Sequence, residues 1–305
     1  MKNIDVVMAT YNGERYIKEQ LQSIVRCEGF KERIKQIIIS DDNSTDKTLE
    51  IAKEIAPVNI YSNSGLKGVI GNFNNAVAHS QADYVIFSDQ DDVWCENKIN
   101  VLYEGIQTLE KRVAGPCLYF TDLEVVDSDL NSIAPSFWEH QRLNPKMTDS
   151  LASIVMQNIS PGCALIANRA LLNMAFPCPP QVVMHDWWLL LCAKAFGEVG
   201  YSNLPTIKYR QHGTNTIGAT QASLIQNAKR VLTESNEGFK QIISQVGELA
   251  KLMPKEHLNY PLIEDVSKVC SFSLGKRISL YSRLSHTYQT PERKLALLTR
   301  LVLLK

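Results

Sequence analysis

The chain has 305 residues, of which 45% are hydrophobic and 21% are charged, as is usual for a soluble globular protein. Lys plus Arg number 32 and Asp plus Glu number 32, so net charge gives no attraction to nucleic acid, and we predict no such partner. No stretch reaches the roughly 18 apolar residues that cross a bilayer, which predicts a cytosolic or peripheral protein. The seven cysteines are scattered and form no C-x-x-C pair, so we expect reduced thiols.

The first 120 residues alternate short β-rich runs with helical patterns. The predicted strands are Ile4–Ala9, Gln36–Ser40, Asn59–Ser62, Tyr84–Ser88 and Cys117–Thr121. The predicted helices are Glu14–Arg26, Asp46–Ile55, Ile70–His79 and Glu96–Lys111. Strands that alternate with helices of this length predict an α/β protein with a mostly parallel sheet flanked by helices. From about residue 219 the chain is predicted to be helical to its end.

Three predicted strands end in polar turns. The first strand runs into Thr10–Gly13, the second into Asp41–Ser44, and the fourth into Asp89–Asp92. Ligands of such sheets bind beyond the carboxyl ends of the strands, so we expect these turns to meet at one edge.

The turn after the fourth strand holds three carboxylates in four positions, Asp89, Asp91 and Asp92. Unit charges about 4 Å apart repel by about 4 kcal/mol at an effective dielectric constant near 20. Such a cluster is tolerated when it is solvated or when a divalent cation binds it. Mg²⁺ and Mn²⁺ take one or two carboxylates and complete their shell with phosphate oxygens and water. A solvated turn with helix-capping aspartates is the alternative, and the convergence of three polar turns favours the metal site.

These segments resemble the motifs of one enzyme family. Phe87–Trp94 resembles the D-x-D segment of family 2 glycosyltransferases, which are inverting enzymes with the GT-A fold. Met8–Gly13 resembles the family's first strand and nucleotide-binding turn, and Ser40–Asp46 resembles its D-D-x-S-x-D segment. The motifs occur in the family's order and spacing over residues 3–100. The resemblance implies a GT-A Rossmann-like domain that transfers a sugar from a nucleotide diphosphate at the cytoplasmic face of a bacterial plasma membrane.

The resemblance also implies roles for residues of the first two turns. Thr10, Tyr11 and Asn12 are expected to line the nucleotide. Asp42, with Asp41 beside it, is expected to accept a hydrogen bond from the pyrimidine ring N–H. Capping of the following helix is the alternative for Asp42, and it is compatible with the first role.

In the acidic turn, the resemblance places Asp89 near the ribose and makes Asp91 the main ligand of Mg²⁺ or Mn²⁺. The glycine-rich segment Asn63–Phe73 precedes a helix and can bring backbone N–H groups and Lys67 close to phosphate or sugar. An ordinary strand-to-helix loop is an equal alternative for this segment. Its spacing does not match a P-loop, which argues against nucleotide hydrolysis.

Direct displacement at a sugar also needs a base for the acceptor hydroxyl. Asp186, in the segment Met184–Leu189, is the candidate, because family 2 enzymes carry an acidic base at the corresponding place. Trp187 and Trp188 are predicted to stack on the acceptor sugar. The structural alternative makes Asp186 a helix N-cap and both tryptophans core residues. Gly162–Asn168 is predicted to be a strand beside the acceptor pocket.

The segment Tyr209–Asn215 resembles the Y-R-Q-H-G-x-N pattern of bacterial rhamnosyltransferase-like members. The resemblance predicts that His212 completes the metal shell and that Arg210 contacts the diphosphate. A structural role is the alternative for His212. The same resemblance favours a dTDP-L-rhamnose donor, with a UDP-sugar as the other pyrimidine possibility, and a glycan or lipid-linked acceptor.

The last thirty residues are basic and interleaved with leucines: residues 276–305 contain seven Lys or Arg residues and one Glu. This pattern predicts amphipathic helices able to lie on an anionic membrane surface, and packing on the protein is the alternative. We predict a catalytic domain over residues 1–218, divided into a nucleotide-binding half (1–120) and an acceptor-binding half (121–218), and a helical region over 219–305. The other functions compatible with the sequence are a sugar-1-phosphate nucleotidyltransferase and an inactive sugar-binding or nucleotide-binding module.

Overall fold

The structure is a computed structural model that describes residues 4–212, 237–288 and 290–304. The chain divides into two compact units. The first takes in residues 1–141, 160–178 and 184–219, and the second takes in 142–159, 179–183 and 220–305. The proposed boundary near residue 218 stays a prediction; the second unit also draws in two short segments from before it. Among the described helices, none combines the length and the apolar character needed to cross a membrane.

In the described part of the first unit, nine strands form one sheet with the order β3-β2-β1-β4-β8-β6-β9-β5, and β7 pairs with β6. The strands are β1 (Ile4–Thr10), β2 (Ile34–Asp41), β3 (Val58–Ser62), β4 (Tyr84–Ser88), β5 (Val93–Trp94), β6 (Cys117–Val126), β7 (Ser132–Ala134), β8 (Leu165–Asn168) and β9 (Glu198–Arg210).

The first half of this sheet is parallel, as predicted. Strand β1 pairs in parallel with β2 and β4, and β2 pairs in parallel with β3. The register sets Thr10 opposite Asp41 and Met8 opposite Ser88, so the polar turns leave the sheet at one edge. The second half is mixed: β8 is antiparallel to β4 and β6, whereas β6 and β9 are parallel.

The helices of the described residues are α1 (Ile17–Arg26), α2 (Phe30–Arg33), α3 (Thr48–Ile55), α4 (Val69–Ala78), α5 (Lys98–Glu110), α6 (Phe137–His140), α7 (Leu151–Ile154), α8 (Arg169–Ala175), α9 (His185–Phe196), α10 (Glu237–Leu252), α11 (Tyr260–Ser267), α12 (Leu274–Ser285) and α13 (Pro291–Leu303). In α1, the buried residues Ile17, Leu21 and Ile24 recur at helical spacing. They join a core with Val6 and Met8 of β1, a strand that reads as continuously apolar because helices cover both faces of the sheet.

The second unit contains α7 and the four helices α10–α13, which agrees with the helical C-terminal region expected from the sequence over residues 237–304. The predicted helical stretch 219–236 lies outside the described residues. Helix α13 begins at Pro291, and the Thr290 side chain caps it by accepting a hydrogen bond from the Arg293 N–H (3.4 Å). Leu280 and Leu284 of α12 are buried, as are Leu297 and Leu301 of α13. These two helices pack as a pair through one apolar stripe each.

Candidate active site

The turn after β1 is bound to the loop after β2 by side-chain hydrogen bonds. The Asn12 N–H donates to Ser44 Oγ (2.9 Å), and Asn12 Oδ1 accepts from the Thr45 N–H (2.9 Å). The Gly13 N–H donates to Thr48 Oγ1 (2.7 Å). Asn12 has a φ of 47°, a left-handed conformation that asparagine tolerates better than most residues. The two loops therefore form one structural unit, in which Asn12 is the central link.

Asp41 shapes this unit from inside. The buried carboxylate accepts hydrogen bonds from the N–H (2.8 Å) and Oγ (2.7 Å) of Ser44 and from Thr10 Oγ1 (3.3 Å). Thr10 is itself buried. By contrast, the Tyr11 side chain is 58% exposed. Of these predicted nucleotide contacts, Tyr11 is thus the side chain open to a base, and Thr10 and Asp41 hold the turn that presents it.

Asp42 joins the second loop to the segment before α4. Its Oδ1 accepts from Asn63 Nδ2 (2.6 Å), and its Oδ2 accepts from the Gly68 N–H (2.7 Å). The exposed Lys67 ammonium donates to the backbone oxygens of Asp42 (3.3 Å) and Asn63 (3.4 Å). Asp42 and Lys67 are therefore brought together at the same edge of the sheet.

The capping alternative for Asp42 is wrong. Helix α3 begins at Thr48, and the carboxylate that accepts from the Thr48 N–H (3.0 Å) belongs to Asp46.

Gln90, which the sequence did not single out, fastens the acidic turn to the first turn. Its Oε1 accepts from the Tyr11 N–H (3.0 Å), and its Nε2 donates to the Tyr11 carbonyl (3.0 Å). A Cβ at Gly13 would lie 2.3 Å from Gln90 Oε1, so glycine leaves room for the Gln90 amide in this position.

The carboxylates of the acidic turn lie in different surroundings. Asp89 is partly buried, and burial, followed by the charges of Asp91 and Asp186, raises its pKa to about 7. Asp92 is fully buried and accepts a hydrogen bond from the Arg210 N–H through Oδ1 (3.1 Å). Burial, with the charges of Asp91 and Asp89, raises the pKa of Asp92 well above its usual range. Asp186, almost a hundred positions further along the chain, is therefore close enough to Asp89 to contribute to this higher pKa.

Asp91 and His212 form a close pair, with 2.8 Å between Asp91 Oδ2 and His212 Nε2. The His212 ring stacks on Tyr16, with 4.7 Å between ring centroids. A carboxylate and an imidazole are ligands that Mn²⁺ accepts, so the residue types fit the predicted metal site. Tyr16 is a second residue that the sequence did not single out; its partner lies 196 positions away.

Arg210 holds the backbone of Asp91 rather than pointing to an open surface. Its buried guanidinium donates to the carbonyl oxygens of Asp91 (2.9 Å) and Ser128 (2.6 Å) and pairs with Glu19 (2.5 Å). It also lies 4.8 Å from the centre of the Tyr16 ring. The predicted contact between Arg210 and the diphosphate is therefore corrected to a bracing role, because these protein groups occupy the guanidinium.

A second group of possible metal ligands lies deeper. One ligand atom each of Asp89, Asp92 and Cys163 lie within 4.8 Å of one another. Asp92 and Cys163 are fully buried. We call these three residues the deep set and Asp91 with His212 the outer pair.

Asp186 lies in the first turn of α9 and is largely buried. Its Oδ1 accepts from the Trp187 N–H (2.6 Å). A Cβ at Gly162 would lie 3.3 Å from Asp186 Oδ2, so the turn that leads into β8 passes directly beside this carboxylate. The N-cap of α9 is Met184, so the alternative reading of Asp186 as the N-cap is wrong.

The two tryptophans that follow are core residues. Trp188 is 1% exposed, and its Nε1–H donates to the Ala175 carbonyl (2.9 Å). Trp187 is also buried. The structure does not place Trp188 where an acceptor sugar could stack on it, which corrects that prediction in favour of the structural alternative. The side chains serve instead to anchor α9, and with it Asp186.

The family model for glycosyl transferase family 2 matches residues 5–173, more than half of the chain. The chain belongs to this family. As a family 2 glycosyltransferase it has the GT-A fold, and the alternative of a sugar-1-phosphate nucleotidyltransferase falls away.

Individual relatives agree with this assignment. The dTDP-rhamnosyl transferase RfbG of Shigella flexneri is 29% identical over 78% of this chain and 83% of its own. The WfaP enzyme of Escherichia coli, a UDP-Glc:α-D-GlcNAc-diphosphoundecaprenol β-1,3-glucosyltransferase, is 25% identical over 91% of this chain and 99% of its own. The mannosyltransferase PcManGT of Pyrobaculum calidifontis, solved with GDP-Man and Mn²⁺, has the same fold. Its TM-score is 0.55 at 14% identity, over 99% of this chain and 85% of that one.

Proposed function

We propose that this glycosyltransferase is metal-dependent and inverting, and that it moves a sugar from a nucleotide diphosphate to an acceptor hydroxyl. The observation that carries the proposal is the Gly162–Cys163 turn, in which Gly162 lies beside the Asp186 carboxylate and Cys163 lies beside Asp89 of the acidic turn. The proposed metal ligand and the proposed base thus belong to one neighbourhood. The Mn²⁺ bound by PcManGT supports the metal.

In this proposal, Asp91 and His212 would hold Mg²⁺ or Mn²⁺, which would supply positive charge to neutralise the departing diphosphate. Tyr11 contacts the base, with Asn12, Asp42 and Lys67 forming the surrounding surface. Asp89 faces the ribose. Tyr11, Asn12 and Asp42 lie in turns that are joined to neighbouring loops by hydrogen bonds within the protein. Such an arrangement favours a preformed nucleotide site.

Asp186 acts as the general base. It takes the proton of the acceptor hydroxyl while that oxygen forms a bond to the anomeric carbon. The bond from this carbon to the diphosphate oxygen breaks with its electron pair on the diphosphate. Attack from the face opposite to the leaving group inverts the anomeric configuration. A positioned base contributes about 10²–10⁴-fold to such a step.

The donor is proposed to be dTDP-L-rhamnose, with a UDP-sugar as the second choice. Support comes from the Tyr209–Asn215 segment, which resembles rhamnosyltransferase-like members, and from the similarity to the dTDP-rhamnosyl transferase RfbG. The WfaP relative, whose name gives a diphosphoundecaprenol acceptor, supports a lipid-linked glycan as the acceptor in bacterial surface polysaccharide synthesis. Such an acceptor would place the enzyme at the inner face of the plasma membrane, with its basic C-terminal helices against the lipid.

A thermal-shift screen with dTDP, UDP, GDP and CDP, each with and without Mn²⁺ or Mg²⁺, tests the donor site. We expect stabilisation by dTDP or UDP that depends on metal, because the diphosphate and the outer pair share the ion. Stabilisation that is the same without metal would contradict the metal dependence. No shift with any nucleotide, in a folded sample, would favour the inactive-module alternative.

The base is tested with Asp186→Asn and the exposed Asp129→Asn as a matched control. Asp186→Asn should keep the nucleotide shift but lower the release of dTDP from dTDP-L-rhamnose, measured with extracted membrane acceptors, by about 10²–10⁴-fold. Asp129→Asn should match the wild type. Full activity of Asp186→Asn would assign the base to another residue.

A further inference from the structure

Tyr16 lies where the first polar turn meets α1, as the N-cap residue of that helix. Its N–H donates to the Gly13 carbonyl (3.0 Å), and its carbonyl accepts from the Gln20 N–H (3.1 Å). The Gly13 N–H in turn donates to Thr48 Oγ1 at the start of α3 (2.7 Å). The backbone of Tyr16 is therefore fixed to the same turn that presents Tyr11.

The Tyr16 side chain contacts two residues at and just beyond the end of β9. The His212 ring stacks on it, with 4.7 Å between the ring centroids and 28° between the ring planes. The Arg210 guanidinium carbon lies 4.8 Å from the centre of the same ring, a cation–π distance. Both neighbours reach Asp91: Arg210 donates to its carbonyl oxygen (2.9 Å), and His212 Nε2 lies 2.8 Å from its carboxylate. One aromatic ring therefore supports two side chains that contact Asp91.

Glu19, three positions after Tyr16, adds a second contact from α1. Its carboxylate pairs with Arg210 Nη2 at 2.5 Å. Arg210 and His212 are two positions apart, the spacing that places side chains on one side of an extended chain. The start of α1 thus receives the end of β9 through two of its side chains, Tyr16 on His212 and Glu19 on Arg210.

The aromatic ring of Tyr16, and not its hydroxyl group, makes these contacts. The buried Tyr16 Oη forms no hydrogen bond with the residues that the structure describes. Phenylalanine at this position would keep the stacking and the cation–π contact, whereas leucine would remove both. A role of the ring can therefore be measured against a conservative variant.

We propose that Tyr16 is a positioning residue for the metal site, and that its ring fixes the His212 imidazole beside Asp91. A side chain that is already ordered loses less rotamer freedom when a metal binds. Residues that orient a metal ligand contribute about 10- to 100-fold to metal affinity. Because the Tyr16 backbone belongs to the first turn, the same residue links the metal site to the nucleotide site. The role toward the metal rests on the proposed function, whereas the stacking of Tyr16 on His212 does not.

The first test measures the metal dependence of nucleotide binding rather than catalysis. Its readout is the Mn²⁺ concentration that gives half of the thermal stabilisation by dTDP, or by UDP if UDP stabilises the wild type better. Tyr16→Leu should raise this concentration roughly 10-fold, and Tyr16→Phe should match the wild type. Tyr281→Leu, at a partly buried tyrosine of α12, is the matched control and should leave the concentration unchanged. Equal values for Tyr16→Leu and the wild type, or an equal loss in Tyr16→Phe, would overturn the proposal.

A double variant shows whether Tyr16 acts through His212. His212→Gln removes the imidazole and keeps the Asp91 carboxylate. If Tyr16 serves to position His212, adding Tyr16→Leu to His212→Gln should cause no further loss of metal dependence. A further loss of roughly 10-fold in the double variant would show that Tyr16 acts on another group, and the proposal would then be wrong.

The third test needs neither metal nor nucleotide. Protons of a ring that stacks on an aromatic side chain are shielded, so the His212 ring signals should lie upfield in nuclear magnetic resonance spectra of isotope-labelled histidine. At a pH well above the usual histidine pKa, Tyr16→Leu should move these signals downfield and Tyr16→Phe should leave them in place. The signals of the exposed His286 should not move in either variant. His212→Gln identifies the His212 signals by their loss. Unmoved His212 signals in Tyr16→Leu would contradict the proposed contact.

The tests separate this inference from the proposed function. If the wild type shows no metal-dependent nucleotide stabilisation, the proposed function fails, yet the histidine spectra still decide whether Tyr16 orients His212. If the metal dependence is present and identical in Tyr16→Leu, the proposed function stands and the role of Tyr16 is refuted.

Discussion

At the residue scale, His185 is a histidine kept neutral by its surroundings. Its ring packs against Phe73 and Phe87, with 4.1 and 5.4 Å between ring centroids. Burial, only partly opposed by the Gly162 backbone beside the ring, lowers the pKa of His185 to about 3. Because the pKa is lower in the folded state than in the unfolded chain, the associated stability is complete above about pH 6.5 and is lost as the pH falls towards 3.

We therefore predict that His185→Phe makes the protein less sensitive to acid. Between pH 7 and pH 5 the wild type should lose roughly 2 kcal/mol of unfolding free energy that the variant keeps, since phenylalanine fills the aromatic site and takes up no proton. Denaturant unfolding at several pH values measures this difference. The exposed His286→Phe is the control and should follow the wild type. Parallel curves for wild type and His185→Phe would contradict the prediction.

The sequence predicted which residues lie near the candidate site better than it predicted the role of each one. Asp91 and His212 were predicted as metal ligands and lie 2.8 Å apart. Arg210 and Trp188, by contrast, are supports, because what decides their task is burial, and burial depends on partners distant in the chain. Gln90 escaped notice for the same reason: its contact with Tyr11 spans 79 positions.

At the element scale, two glycines in helices have opposite surroundings. A Cβ at Gly71 in α4 would lie 1.7 Å from the Leu66 carbonyl oxygen, a backbone atom that cannot move alone. A Cβ at Gly275 in α12 would meet nothing within 4 Å. The close approach at Gly71 fixes α4 against the loop that Asp42 holds, so this glycine supports the proposed nucleotide site.

The same substitution should therefore have opposite effects at these positions. Gly71→Ala must displace the loop before α4, and we expect a lower melting temperature together with weaker nucleotide stabilisation. Gly275→Ala should raise unfolding free energy by about 0.5–1 kcal/mol, because alanine restricts the unfolded chain and favours helix. Thermal unfolding with and without dTDP and Mn²⁺ measures both. Equal changes in melting temperature for Gly71→Ala and Gly275→Ala would show that the close contact with Leu66 does not determine the effect of the substitution.

Among the elements, the sequence predicted β1–β4 within a few residues, because their apolar runs are bounded by polar turns. It did not predict β9, which contains Pro205, a residue usually excluded from strand interiors. The register between β6 and β9 shifts on both sides of Asp122, which pairs with Pro205. A bulge therefore accommodates the proline, and a sequence pattern does not reveal a bulge.

At the scale of the whole molecule, the two units are interleaved along the chain. Residues 142–159 and 179–183 belong to the helical unit although they lie within the stretch predicted as catalytic. In that unit the Val183 N–H donates to Gln245 Oε1 (2.9 Å), and Arg293 donates to the Arg142 carbonyl (2.8 Å). Contacts over 62 and 151 positions leave no local signal in composition or periodicity. The sequence therefore predicted the C-terminal helices, but it did not predict that residues 142–159 and 179–183 belong to the same unit.

The helical unit leaves apolar side chains exposed next to basic ones. Residues 274–304 contain six Lys or Arg residues and one Glu, and exposed apolar residues on α12 and α13 are Leu274, Ile278, Leu295, Val302 and Leu303. Leu295 and Val302 lie seven positions apart, on one face of α13. A lipid-linked acceptor lies in a membrane, and anionic lipids of that membrane would attract such a face. Each Lys or Arg near the surface contributes about 1 kcal/mol to membrane binding.

We predict that the protein sediments with phosphatidylglycerol vesicles at low salt and much less with phosphatidylcholine vesicles. Leu295→Ser/Val302→Ser should reduce this binding several-fold, because the two side chains supply the apolar part of the interaction. Leu258→Ser is the matched control: Leu258 is 92% exposed but lies outside α12 and α13, so its loss should change nothing. Equal losses in both variants would indicate general surface hydrophobicity. Unchanged binding by the double variant, with release by salt alone, would leave only the basic residues as the cause and remove the apolar face from the proposal.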